Sequence, residues 1–144
     1  MKITNNLEEK ILSTLNEKEI LQYGLDAVKL AVEKFGKIYE DFDVLDAEDY
    51  VQRYLDIMNE EITGKGIVEI VCKIQKILDG LRGRYNGAIK KEAYTVDAII
   101  HLLQAILYSI EEKIDTMKGE NKNKREEILK NISWAITAVI KVTN

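Results

Sequence analysis

The chain contains no proline in 144 residues. Proline is the residue that most surely ends a helix, because it lacks an amide donor and its ring clashes with the preceding turn. Without it, long uninterrupted helices are open to every part of the chain. The apolar residues recur at three- and four-residue steps, the spacing of one helix face. Leu7, Ile11, Leu12 and Leu15 form a short stripe behind a Thr4-Asn5-Asn6 start signal. Asn16, with Glu19 three positions on, reads as a capping pair opening a helix whose stripe continues from Ile20 to Tyr39. Asp46 and Asp49 mark a third start, followed by Tyr50, Val51, Tyr54, Leu55, Met58 and Ile62. Thr63–Gly66 is the expected break after it. A stripe from Ile67 to Leu81 follows, closed by the glycine-rich segment Gly80–Gly87. The longest helix is expected from about Glu92 to Met117, and the last behind Asn123 and Glu126. These stripes predict an all-α protein, a single compact bundle of five to six antiparallel helices over residues 1–144.

The length suffices to bury a core without covalent staples. Cys72 is the only cysteine, and the start MKITNNLEEK lacks the apolar stretch of a signal peptide. No run approaches eighteen consecutive apolar residues, so no membrane span is expected. Together these features predict a cytoplasmic protein.

Catalytic chemistry finds few residues to work with. His101 is the only histidine, and no Glu-x-x-His pair, nucleophile elbow or phosphate-binding glycine loop occurs. No metal and no cofactor is expected, and the chain reads as non-catalytic. His101 reads as a residue at the border of a buried stripe, because a ligand or general base needs partners and none is visible nearby in sequence. Cys72, on an apolar helix, reads as a small buried hydrophobe.

Charge carries more information. Residues 1–71 hold sixteen acidic and eight basic residues, a net of −8, whereas residues 72–144 hold nine and thirteen, a net of +4. Between Tyr39 and Tyr50 the chain reads YEDFDVLDAEDY, with six carboxylates and three aromatic rings in twelve positions. Carboxylates steer a basic partner, and aromatic rings anchor it once docked. The expected partner-binding residues are Tyr39, Glu40, Asp41, Phe42, Asp43, Asp46, Glu48, Asp49, Tyr50 and Tyr54. Local roles compete: Asp46, Glu48 and Asp49 suit a helix N-terminus. A second cluster, Arg82, Arg84, Tyr85, Lys90 and Lys91, combines planar donors with a stacking ring and suits a phosphate or nucleic acid. Its simpler reading is a solvated interhelical turn.

In size, helical architecture, lack of a catalytic constellation and the acidic-aromatic stretch Tyr39–Tyr50, the chain resembles the all-α immunity proteins of bacterial toxin–immunity systems. The resemblance implies a cognate protein partner, a basic toxin, whose active site or groove is occluded by that surface. Its basic second half departs from the most acidic members of that class. Two other readings stand beside it: a nucleic-acid- or nucleotide-binding accessory subunit using residues 80–91, and a self-associating bundle in which the acidic half of one copy meets the basic half of another.

Overall fold

The computed structural model describes residues 10, 12–34, 41–59, 64–85, 90–120 and 122–143. Among them are five helices and no strand: α1 (Glu17–Lys34), α2 (Phe42–Ile57), α3 (Gly64–Arg84), α4 (Lys90–Met117) and α5 (Arg125–Thr143). Ahead of α1, Lys10, Leu12 and Ser13 are helical, and Leu12 is buried in the core. The remainder of the expected first helix, and the expected continuation of α1 to Tyr39, lie outside the described residues.

The start of α1 follows the sequence signal closely. The Glu19 amide donates to Asn16 Oδ1 at 2.9 Å, and the Asn16 amide donates to Glu19 Oε1 at 3.1 Å. Two otherwise unpaired donors are thereby satisfied reciprocally. The helix buries Ile20, Leu21, Gly24, Leu25, Val28, Ala31 and Val32 along one face. Gly24 sits where a Cβ would come within 2.7 Å of Ile132 Cδ1 and 3.3 Å of Leu102 Cδ1. The missing side chain is what lets α1 lie close to α5 and α4.

Two boundaries differ from expectation. The helix α2 begins at Phe42 rather than after Asp46, because Asp41 supplies the cap: its carboxylate accepts the Asp43 amide at 2.8 Å. Asp46 and Asp49 therefore lie within the helix. In α3, Gly64 and Gly66 fall in the first turn, where few intrahelical bonds exist to be lost. The same helix continues through Gly80 and Gly83 to Arg84 instead of breaking. Each glycine costs about 1 kcal/mol in a helix interior, and burial of Ile77, Leu78 and Leu81 outweighs it.

The 28-residue α4 occupies the middle, packing against all four other helices and most extensively against α5. Lys91–Met117 is long and apolar enough to cross a membrane although it holds no long unbroken apolar run, and 56% of its apolar eighteen-residue window is buried inside the bundle. Its C-terminus is closed by Gly119, at φ +79°: the Gly119 amide donates to Thr116 O at 3.0 Å and the Glu120 amide to Asp115 O at 2.8 Å. Only glycine takes that left-handed conformation without a Cβ penalty. Asn123 Oδ1 then accepts the Arg125 amide at 2.8 Å at the start of α5.

One polar chain crosses the core. Ser109 on α4 donates to Glu17 Oε2 on α1 at 2.7 Å, which leaves Tyr54 on α2 to donate to Ser109 Oγ at 2.7 Å. Burial pushes the Glu17 carboxyl above its ordinary range; the Ser109 bond opposes this and nearby Glu112 reinforces it. The folded state therefore binds a proton at Glu17 more tightly than the unfolded chain does. Stability from this group is present at acid pH and is lost as pH rises from 4.5 through the raised value. Glu17→Gln keeps an acceptor for Ser109 and should flatten this pH dependence, with no loss of melting temperature at pH 7. Gly24→Val should cost about 1–3 kcal/mol in urea unfolding, through overpacking against Ile132.

Candidate functional site

The two clusters singled out in the sequence meet each other. Arg84, at the last turn of α3, donates from Nε to Asp41 Oδ2 at 3.1 Å and from Nη2 to Asp41 Oδ1 at 3.0 Å. The same Nη2 also contacts Asp43 Oδ2. Tyr85 Oη donates to Asp41 Oδ2 at 2.8 Å. With the Asp43 amide, the Asp41 carboxylate thus accepts four hydrogen bonds, two at each oxygen. Burial works against its charge, but the bonds from Tyr85, the Asp43 amide and Arg84 outweigh it and hold Asp41 below its ordinary value. Burial and the Asp41 carboxylate push the Tyr85 hydroxyl up to about 12. The Arg84 guanidinium is raised chiefly by its bond to Asp43.

Gly80 makes room for this arrangement. A Cβ there would stand 2.5 Å from Asp43 Oδ2, so the glycine lets the carboxylate lie against the α3 backbone. Asp41 and Asp43, two like charges close in sequence, are clamped by one planar fork from α3. The clamp also engages Arg84 and Tyr85, which the alternative reading assigned to a phosphate or nucleic acid. An incoming phosphate competes with both carboxylates for the Nε and Nη2 donors of Arg84.

What α2 leaves in solvent is a narrower surface. Phe42, Asp46, Asp49, Arg53 and Asp56 are exposed at four- and three-residue steps, one outward face of the helix. Phe42 is 81% exposed, the most open of the large apolar side chains among the described residues. Asp49 pairs with Arg53 at 3.1 Å with both partners more than half exposed, and the Arg53 guanidinium lies 4.9 Å from the Tyr50 ring centroid. Tyr50 is half-buried against the core. Glu48 turns inward: its Oε1 is buried without a hydrogen-bond partner, and burial raises its carboxyl, with Lys29 opposing and Glu33 reinforcing.

Tyr54 corrects the expectation placed on it. It is fully buried and bonded to Ser109, because Val51, Tyr54, Leu55 and Met58 carry the inner face of α2. A partner docking on the outer face does not reach it. Tyr39, Glu40 and the Lys90 side chain lie outside the described residues. Arg82 and Lys91 are exposed.

Two further residues differ from their sequence reading. Cys72 is exposed, because Ile67, Ile70, Ile74, Ile77, Leu78 and Leu81 take the buried positions of α3 and leave Cys72 on the opposite side. His101 does have partners. Asp97 Oδ1 stands 3.4 Å from Nε2, Asn131 Oδ1 3.2 Å from Nδ1, and the Trp134 ring centroid 5.2 Å away. The i,i+4 spacing of Asp97 and His101 was the available signal; Asn131 and Trp134 arrive only when α5 packs on α4. Among the described residues, no group of three or more His, Cys, Asp or Glu side chains converges as a metal site.

Comparison with protein-family models, with curated proteins and with solved structures finds no match to this chain.

Asp41 should be the costliest surface acid to remove. Asp41→Ala loses both the helix cap and the acceptor for the Arg84 fork, an expected loss of about 2 kcal/mol in urea unfolding. Its depressed proton affinity contributes stability above pH 3.8 that is lost as pH falls through the lowered value. In Asp41→Asn this acid limb of the stability profile should flatten.

Proposed function

We propose that the chain is a non-catalytic protein-binding module of the inhibitor or immunity type, docking on a basic partner through the outer face of α2. The scaffold of this reading is an antiparallel bundle of five to six helices with cytoplasmic residence. The observation that carries it is Phe42: a phenylalanine left 81% exposed on the first turn of a helix whose outward face also carries Asp46, Asp49 and Asp56. A large ring in water gains free energy when a partner covers it, and flanking carboxylates speed and orient the encounter with a basic surface. The Arg84 clamp holds the first turn of α2 in place, so Phe42 is presented on a rigid support and loses little freedom on docking.

In-chain pairing of Arg84 and Tyr85 with Asp41 weighs against the nucleic-acid reading, since the stacking ring and one of the two arginines are already engaged. It also satisfies inside one molecule part of the charge asymmetry that motivated self-association.

The test compares capture by the immobilised wild-type chain with capture by Phe42→Ala and by Asp46→Lys/Asp49→Lys. Asp41 and Asp43 are unsuitable targets, because replacing them unpins Arg84. For a captured basic protein, Phe42→Ala should weaken affinity by at least tenfold, on the order of a hot-spot truncation. The double charge reversal should lower the association rate and its salt dependence. Capture of the same proteins, at the same strength, by all three would sink the reading.

A further inference from the structure

Between α4 and α5 runs a groove of about 400 Å³, lined by Tyr94, Asp97, His101, Trp134 and Lys141 among others. Its volume falls within the roughly 300–1,000 Å³ of small-molecule sites. Aromatic rings form its walls. The Trp134 and His101 centroids stand 5.2 Å apart with their planes tilted by 59°, and Tyr94 is half-buried against the core. Trp134, the only tryptophan of the chain, is nonetheless 48% exposed, because Ile128, Ile132, Ala135 and Ile136 fill the inward positions of α5.

The charged groups of the groove are unequally committed. Asp97 Oδ1 lies 3.4 Å from His101 Nε2, a contact that one ring proton satisfies, so the acid of the groove is already engaged. Lys141 is not. Among the described residues no carboxylate pairs with it, and its Nζ lies 4.9 Å from the centroid of the Tyr94 ring. An ammonium over the face of an exposed ring is weakly held, whereas a charge-assisted hydrogen bond to an anion is strong. Lys141 can therefore exchange the ring for an anion without breaking an ion pair. In this it differs from Arg84, whose fork already holds two carboxylates. Lys130 adds a second cation on the same helix, its Nζ 5.6 Å from the Trp134 centroid.

We propose that this groove binds a small planar aromatic anion, a carboxylate or a phosphate ester, with its ring against the exposed part of Trp134 and its charge on Lys141. A half-exposed indole gains free energy when a flat apolar ligand covers it, and offset or edge-to-face rings add to that burial. Seven residues separate Tyr94 from His101 along α4, about 10 Å of helix. The cation thus stands toward one end of the groove and the closed Asp97–His101 contact toward the other, which sets the direction in which the ligand lies. This assignment is independent of the α2 surface, since α4 and α5 alone supply these residues.

Because Trp134 is the sole tryptophan, the chain gives one indole N–H signal in nuclear magnetic resonance, and that signal reports directly on the groove. The experiment titrates the full chain with naphthoate, naphthyl phosphate and neutral naphthol, which share one ring system. Isothermal calorimetry on the same samples provides a second readout. At least one of the two anions should move the Trp134 signal saturably and bind about tenfold more tightly than naphthol, or better. The tighter anion identifies the head group. Its decahydronaphthalene counterpart keeps the charge but lacks the flat face, and should bind about tenfold more weakly. Lys141→Gln should bring the anion close to naphthol and leave naphthol itself unchanged. Lys73→Gln, on the exposed side of α3, should alter neither. Equal binding of naphthol and the anions, or an unaltered anion affinity in Lys141→Gln, would overturn the pairing with Lys141. Equal binding of the saturated counterpart would overturn the aromatic assignment. The absence of a saturable shift and of heat with both anions would overturn the site.

Discussion

The guanidinium of Arg84 decides what the surface of this protein offers. It lies between Asp41 and Asp43, joins the end of α3 to the start of α2, and is itself backed by Tyr85 on the same carboxylate. Each part of that junction has a separate local reason. Asp41 is a helix cap, Arg84 belongs at a helix C-terminus where cations are favoured, and Gly80 removes the Cβ that would block Asp43. Together they turn two oppositely charged sequence segments into one ion-paired contact. An acidic patch that repels itself in the sequence becomes, in the fold, the acceptor half of a planar clamp.

The clamp also separates the acidic residues by task. Asp41 and Asp43 hold helices together, Glu48 faces α1, and Asp46, Asp49 and Asp56 remain in water beside Phe42. The bias of the first half toward negative charge is thus part structural and part surface. A net charge per segment cannot distinguish those portions, because it contains no information about which residues another helix approaches.

The surroundings of His101 have a related origin. Asn131, buried and fixed by the Glu127 carbonyl, brings its Oδ1 to 3.2 Å from Nδ1 of His101 from the neighbouring helix. A lone histidine without visible partners becomes an oriented one because α5 lies along α4. The central position of α4 is what makes this possible, since every other described helix packs against it.

The sequence by itself determined the helices and most of their inward faces. An absence of proline, a 3.6-residue apolar period and the Asn16–Glu19 pair are local signals, read within one or two turns, and α1, α4 and α5 follow them. Where local signals competed, the boundaries shifted: Asp41 rather than Asp46 caps α2, and Gly80 and Gly83 remain helical because tertiary burial outweighs their propensity. The candidate residues were legible as types, but their states were not. Only the tertiary structure decided that Tyr54 is core, that Phe42 is open, that Cys72 faces water and that Arg84 is already paired. The physical reason is distance. Arg84 and Asp41 are separated by 43 positions, and no short-range rule of sequence spacing reaches across two helices to say that their side chains meet.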